Sequence, residues 1–235
     1  MRVWYVIIDS QAGDVAHIKR LFASSNFEFR EIDGRWGISA PAFEECHSKE
    51  EIIEEASRLL AFINTALLIS VRHYSGFDIH GLAEIRGDKI NRTMFAGSGT
   101  YGISGVSAEI GIGTIGTPIR SREERLVSLM AESAEIADIA QGLAVRPVTW
   151  PAMRKTFETV KGLMSPTGKR SDHQTLIDCG WISAEDSESL FDTASFHDHG
   201  YPRTPIRDGK ELAYEDAYKL GDSLFWRLID AKKPH

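Results

Sequence analysis

The chain is poor in cysteine. It has two in 235 residues, Cys46 and Cys179, far apart and not in a CxxC pair. A zinc ribbon and a dithiol redox motif are therefore excluded. Read as reduced, buried thiols, the two fit a cytoplasmic protein. Long apolar runs are missing too. Nothing approaches the ~20 residues that cross a bilayer. The run Val3-Trp4-Tyr5-Val6-Ile7-Ile8 stops at Asp9, too short for a signal h-region with its cleavage site, and reads as a buried strand. Excess positive charge is also absent. The formal net charge is -7, with 12 basic against 15 acidic residues through position 120 and 15 against 19 after it. Neither half is basic, so broad, sequence-independent duplex binding is not expected, although a small local basic site would fit. No low-complexity tract occurs.

What the chain does have is apolar material, 42% of its residues, enough for one large core or two modest ones. After the first strand, Val15, Ile18, Leu21 and Phe22 repeat with helical spacing. Phe27 to Ile32 alternates as a half-buried strand does. Asp33-Gly34 is a hairpin turn signal, and Arg35 to Ser39 is the expected return strand. Ser48 with Glu51 predicts a capping box and a helix burying Ile52, Ile53, Ala56, Leu59, Leu60 and Ile63. Leu67 to Val71 reads as a strand. From Phe77 to Ile119, short apolar pieces alternate with glycines, as in several strands joined by tight turns and bulges.

Ser121 with Glu124 predicts a second capping box and a helix to about Gly142. Thr149 caps the next, with Pro151 in its first turn. Its apolar face is Trp150, Met153, Phe157, Val160 and Leu163. Ser165 to Gly168 is a loop, and a short helix runs from Ser171 to Gly180. Ser183 caps a further helix, with Asp186 at its third position. A last helix over about Ala213–Ala231 turns Ala217, Leu220, Leu224, Phe225 and Leu228 inward.

Two stretches match GxGxxG: Gly97-Ser98-Gly99-Thr100-Tyr101-Gly102 and Gly111-Ile112-Gly113-Thr114-Ile115-Gly116. A dinucleotide site needs such a loop to open a helix whose N-terminus holds the pyrophosphate. Here β-branched residues and more glycine follow, so bulged strands are the better reading. Arg72-His73 and His80 flank a turn at Gly76. Asp9 and Asp14 follow the first strand without a third acid close enough to suggest a magnesium cluster.

The densest histidine cluster, His197-Asp198-His199, ends the Ser183 helix and is followed by Gly200-Tyr201-Pro202-Arg203. Asp172 and His173 would be further ligands if the cluster chelated a metal. As an acid/base site it would cleave RNA: His197 or His199 moves the 2′-hydroxyl proton and Arg203 clamps the phosphate. The structural reading is a helix end, with histidines on the last carbonyls, Gly200 as left-handed cap and Pro202 as stop.

On the stretches Asp33-Gly34-Arg35-Trp36, Pro41-Ala42-Phe43-Glu44, Ala56 to Asn64, Trp150 to Val160 and Phe191 to Ser195, the layout resembles a group of two-part bacterial proteins without an assigned activity. The helical half also resembles the HEPN class of nucleotide-handling and RNase domains. That class carries an arginine followed four to six residues later by histidine. No arginine here has that spacing, and Arg203 is followed by Thr204 and Pro205. The resemblance thus implies a degenerate or noncatalytic member.

These readings predict an α+β domain with an antiparallel sheet over residues 1–119 and an all-α helical bundle over residues 121–235. The expected function is non-enzymatic: an intracellular module that binds or senses, with a protein partner or as a homodimer through its helices. No cofactor, no bound metal and no membrane are expected. One alternative is a HEPN-like RNase or defence effector acting on RNA with His197, His199 and Arg203. A second is a metal-dependent hydrolase at the same cluster.

Overall fold

A computed structural model describes residues 2–9, 12–23, 27–71, 76–95, 121–165, 173–199 and 212–232. The chain divides into two compact units, Met1–Ser133 and Ala134–His235.

The first unit is built on five strands: β1 (Arg2–Asp9), β2 (Glu28–Ile32), β3 (Arg35–Ser39), β4 (Asp78–Arg86) and β5 (Lys89–Met94). They form one sheet in the order β2-β3-β1-β4-β5, and every pairing is antiparallel. The most apolar strand takes the centre because Trp4 to Ile8, all buried, need cover on both faces. Asp33 (φ 49°) and Gly34 (φ 77°) both adopt the left-handed conformation that the tight β2–β3 hairpin requires.

Helix α1 (Ala12–Leu21) follows β1, and α2 (Lys49–Ser70) joins β3 to β4. Both meet the same face of the sheet. The register aligns Trp36 with Ile8, Ile38 and Leu82 with Val6, and Thr93 with Leu82. On that face the Lys19 ammonium lies 4.4 Å from the Trp36 ring centre, and Lys49 Nζ donates to Thr93 Oγ1 at 2.9 Å. The opposite face packs Tyr5, Ile7, Ile32, Ala83 and Ile85 with Val3.

Ser48 caps α2 by accepting the Glu51 N–H at 3.1 Å, whereas the Glu51 carboxylate takes the N–H of His47 instead of closing the box. The expected strand at Leu67–Val71 is the last turn of α2. Ala66, Leu67 and Ile69 continue the buried stripe of Ile52 to Ile63, and the Val71 N–H closes the helix on Leu67 O. Packing on the sheet outweighs the strand propensity of a short apolar run. Asn64 fastens the end of α2 to the start of β4: its Nδ2 donates to Phe77 O at 3.0 Å and its Oδ1 accepts the Phe77 N–H at 2.9 Å.

The Ser121/Glu124 capping box forms and opens α3 (Arg122–Glu132), which packs on α2. The single helix expected to reach Gly142 is two. Ser133 is extended (φ -136°, ψ 114°), and α4 runs Ala134–Ala144. The break lets each piece bury its own stripe: Leu126, Val127, Leu129 and Met130 in the first unit, Ile136, Ile139, Ala140 and Leu143 in the second.

The second unit is helical among its described residues. Around α5 (Trp150–Met164) lie α4, α6 (His173–Asp178), α7 (Ala184–His199) and α8 (Tyr214–Ala231), each in contact with it. Met153, Phe157 and Val160 of α5 are fully buried, and so are Leu190 and Ala194 of α7 and Leu224, Phe225 and Leu228 of α8, the two helices that α5 meets most extensively. Thr149 and Ser183 cap α5 and α7 as expected. Both GxGxxG stretches lie outside the described residues. Among the described residues no helix is long and apolar enough to cross a membrane.

Two stability tests follow from the first unit. Asn64→Ala removes both of these hydrogen bonds to Phe77, and it is expected to cost about 1–3 kcal/mol in urea unfolding. Glu84 is the second. Burial pushes its carboxyl up, but the hydrogen bond and charge of Arg86, with Asn91 and Arg2, pull harder and hold it below the usual carboxylate range. Arg2 Nε lies 2.6 Å from Glu84 Oε1, and so does Arg86 Nη2. A lowered folded value stabilises the fold above the ordinary carboxylate pKa, and that contribution is lost as pH falls through the folded value. Between about pH 5 and pH 3, wild type is expected to lose more urea resistance than Glu84→Gln.

Candidate functional site

Of the sequence-predicted cluster, the structure places His197 fully. It sits exposed in the last turn of α7. His199 closes the same helix, and its side chain lies outside the described residues, as do the side chains of Asp198 and His173 and the whole of Asp172, Gly200 and Arg203. Among the described residues no group of three His, Cys, Asp or Glu side chains converges in a way that could hold a metal ion.

The surroundings of His197 are built by three helix ends. Thr149 accepts the Ala152 N–H at 3.3 Å and starts α5, so Trp150 becomes its first residue and Pro151 its second. A long side chain at the start of a helix leans back over the chain that enters it. The end of α7 lies beside the start of α5, and there the His197 imidazole stacks on the Trp150 indole. The ring centres are 4.5 Å apart and the planes 11° from parallel. Tyr214, the first residue of α8, meets the same indole edge-on at 5.8 Å, and its hydroxyl donates to Val148 O at 2.7 Å. Thr193, fully buried one turn before His197, accepts the Leu212 N–H at 3.1 Å and brings the start of α8 to this place.

Next to these rings, Arg146 Nη1 donates to the Tyr218 hydroxyl at 2.8 Å, with the guanidinium 5.1 Å from the ring centre. Val145, 60% exposed, and Tyr214, 38% exposed, leave the patch open to solvent. The result is a surface of imidazole, indole and two phenols with one arginine. Aromatic rings so placed offer flat apolar area with few torsions to freeze, and the arginine adds a planar donor.

Further along α5 and α7, a second cationic feature is structural. Lys161, almost completely buried, pairs with Glu158 Oε2 at 2.8 Å. Its ammonium also lies 5.5 Å from the Phe157 ring centre and 5.8 Å from that of Phe191, and Arg154 approaches Phe191 at 5.9 Å.

The sequence reading missed Tyr214, Tyr218 and Arg146, and it assigned Trp150 to the inner face of α5. A signal was present: a tryptophan directly after a cap, and tyrosines four apart opening α8. In the first unit, the structure brings His80 to Asp9, with Nε2 to Oδ2 at 3.3 Å. Arg72 and His73 lie outside the described residues, as does the side chain of Asp14.

No protein-family model matches the chain, and no curated protein or solved structure is similar to it. The chemistry of the patch therefore rests on its geometry.

Both cysteines are free thiols, but they are not both buried: Cys46 is half-buried and Cys179 exposed, just past the end of α6. A short helix end leaves no room to cover position 179. Burial pushes the Cys46 thiol up, and the charges of Glu55, Glu51 and Glu45 add to this against Arg58. Its Sγ donates to Ala42 O at 3.5 Å. At neutral pH a disulfide reagent is expected to react with Cys179 first, roughly tenfold or more ahead of Cys46, and Cys179→Ser should remove the fast phase.

Proposed function

We propose that the protein is a non-enzymatic binding module whose second unit engages a protein partner through the Trp150 patch. The observation that carries the reading is the stacking of His197 on Trp150. It joins imidazole, indole and the Tyr214 phenol into one ring cluster, in which His197 and Tyr214 are exposed and Trp150 is half-buried. Tryptophan, tyrosine and arginine are the residue types that carry most of the energy at protein interfaces. Rings already held in place lose little freedom when a partner covers them. The RNase alternative needs a second imidazole and a cation on the same phosphate. His197 stacks on the Trp150 indole, and the side chain of His199 and the whole of Arg203 lie outside the described residues.

The test is affinity capture from cells that make the protein, with wild type, Trp150→Ala, Arg146→Ala and the distant surface variant Glu185→Ala. A partner held by wild type and Glu185→Ala is expected to weaken by about tenfold or more with either patch variant. Parallel incubation with RNA is expected to give the same background for wild type and His197→Ala. Cleavage that disappears in His197→Ala would replace this reading with the enzymatic one.

A further inference from the structure

We propose that Arg2, Arg86 and Lys89 form a binding site for the phosphate group of a small, soluble phosphate monoester, on the first unit and independent of the Trp150 patch. The register sets Arg2 opposite Arg86, and Arg86 opposite Lys89. Residues directly opposite in neighbouring strands send their side chains to the same face. The three cations therefore stand in one row across β1, β4 and β5. Like charges placed directly opposite one another destabilise a sheet, and here two such pairs follow in succession. The next row on that face holds Trp4, Glu84 and Asn91. Glu84 is the carboxylate of that row, and it serves both arginines. Its Oε1 lies 2.6 Å from Arg2 Nε, 2.6 Å from Arg86 Nη2 and 2.7 Å from Arg86 Nε.

The depth of these groups decides what the row can do. The Glu84 side chain is 11% exposed, whereas those of Arg2 and Arg86 are 46% and 59% exposed. Lys89 and Asn91 are exposed as well. The carboxylate thus holds the two guanidinium groups from beneath. The buried Trp4 ring centre lies 4.6 Å from the Arg2 guanidinium. Held in this way, the arginines have already given up rotamer freedom. Each carries five N–H donors in a planar fork that matches phosphate oxygens. One carboxylate balances one of the three positive charges, and Lys89 adds the third at the end of the row. Asp88, in the turn that joins Arg86 to Lys89, lowers that excess and stands outside the register. A phosphate monoester carries close to two negative charges at neutral pH, so it suits an excess of this size. A polyanion suits it less: the row is three residues wide, and the net charge of -7 repels a long run of phosphates.

Titration of the full chain with glycerol phosphate, followed by backbone amide NMR signals and compared with sodium chloride at equal ionic strength, tests this. Wild type is expected to show saturable shifts over Arg86 to Asn91, half-complete on the order of 1 mM, and chloride is expected to leave those signals in place. Lys89→Gln and Arg86→Gln are each expected to weaken binding by about tenfold. Lys219→Gln, on α8, is expected to bind as wild type does. Lys89 is exposed, and a matching urea midpoint verifies that its variant folds alike. The proposal is overturned if glycerol phosphate acts no differently from chloride, or if both row variants bind it as tightly as wild type. A single-stranded RNA oligonucleotide that binds through the same residues about tenfold more tightly than glycerol phosphate also overturns it, and assigns the row to a polyanion.

Discussion

Trp4 to Ile8 cannot be left wet on either face or on either edge. Five consecutive buried apolar side chains alternate between the two faces of the sheet, and their backbone groups need ladder partners on both sides. β3 and β4 supply the partners, and β2 and β5 extend the sheet outward from them. The connections follow. β1 and β2 run the same way with β3 between them, and β3 and β4 with β1 between them, so each joining segment crosses over one strand. Those segments contain α1 and α2, and both cross on one face, which leaves the Tyr5 cluster to the other. Once the centre is fixed, the outer positions among the described strands fall to the more polar β2 and β5.

The second unit rests on a different constraint. α5 touches four helices, so almost all of its circumference is used by packing. Its first turn is where partners run out. There Thr149 caps the helix, the start of α8 lies close by, and the indole at the first helical position is only half-buried. Stacking by His197 and the edge contact of Tyr214 remove part of that apolar surface from water without hiding it. The patch is thus what remains of a core residue pushed one position too far toward a helix end.

Much of this was legible in the sequence because local chemistry decided it. The Asp33-Gly34 turn, the Ser121/Glu124 box and the caps at Ser48, Thr149 and Ser183 depend on residues within four positions of one another, and each formed. The α+β to helical order follows from the same periodicities. Leu67 to Val71 was misread because a run of five apolar residues fits a strand or a helix end equally well by period, and only the sheet beneath α2 distinguishes them. The break at Ser133 was not visible for a related reason: helical spacing continues across it, and the change lies in which core each stripe enters. The Trp150 patch joins residues 146, 150, 197, 214 and 218, whose proximity is tertiary. Histidine density pointed to the helix end where His197 lies, and the side chains of His199 and Arg203 lie outside the described residues.

The arginine in the Trp150 patch is held before any partner arrives: Arg146 donates to the Tyr218 hydroxyl. A free arginine side chain gives up rotamer entropy when it is ordered, and a tethered one has already done so. Each tether also consumes part of the cation's capacity for a counter-charge. Such residues suit contacts with rings, carbonyls and apolar neighbours better than capture of a loose phosphate, which favours an unpaired cation. The overall charge of -7 acts in the same direction, since polyanions are repelled at long range. Local tethering and global charge are therefore both in keeping with the proposal of a protein partner at this surface.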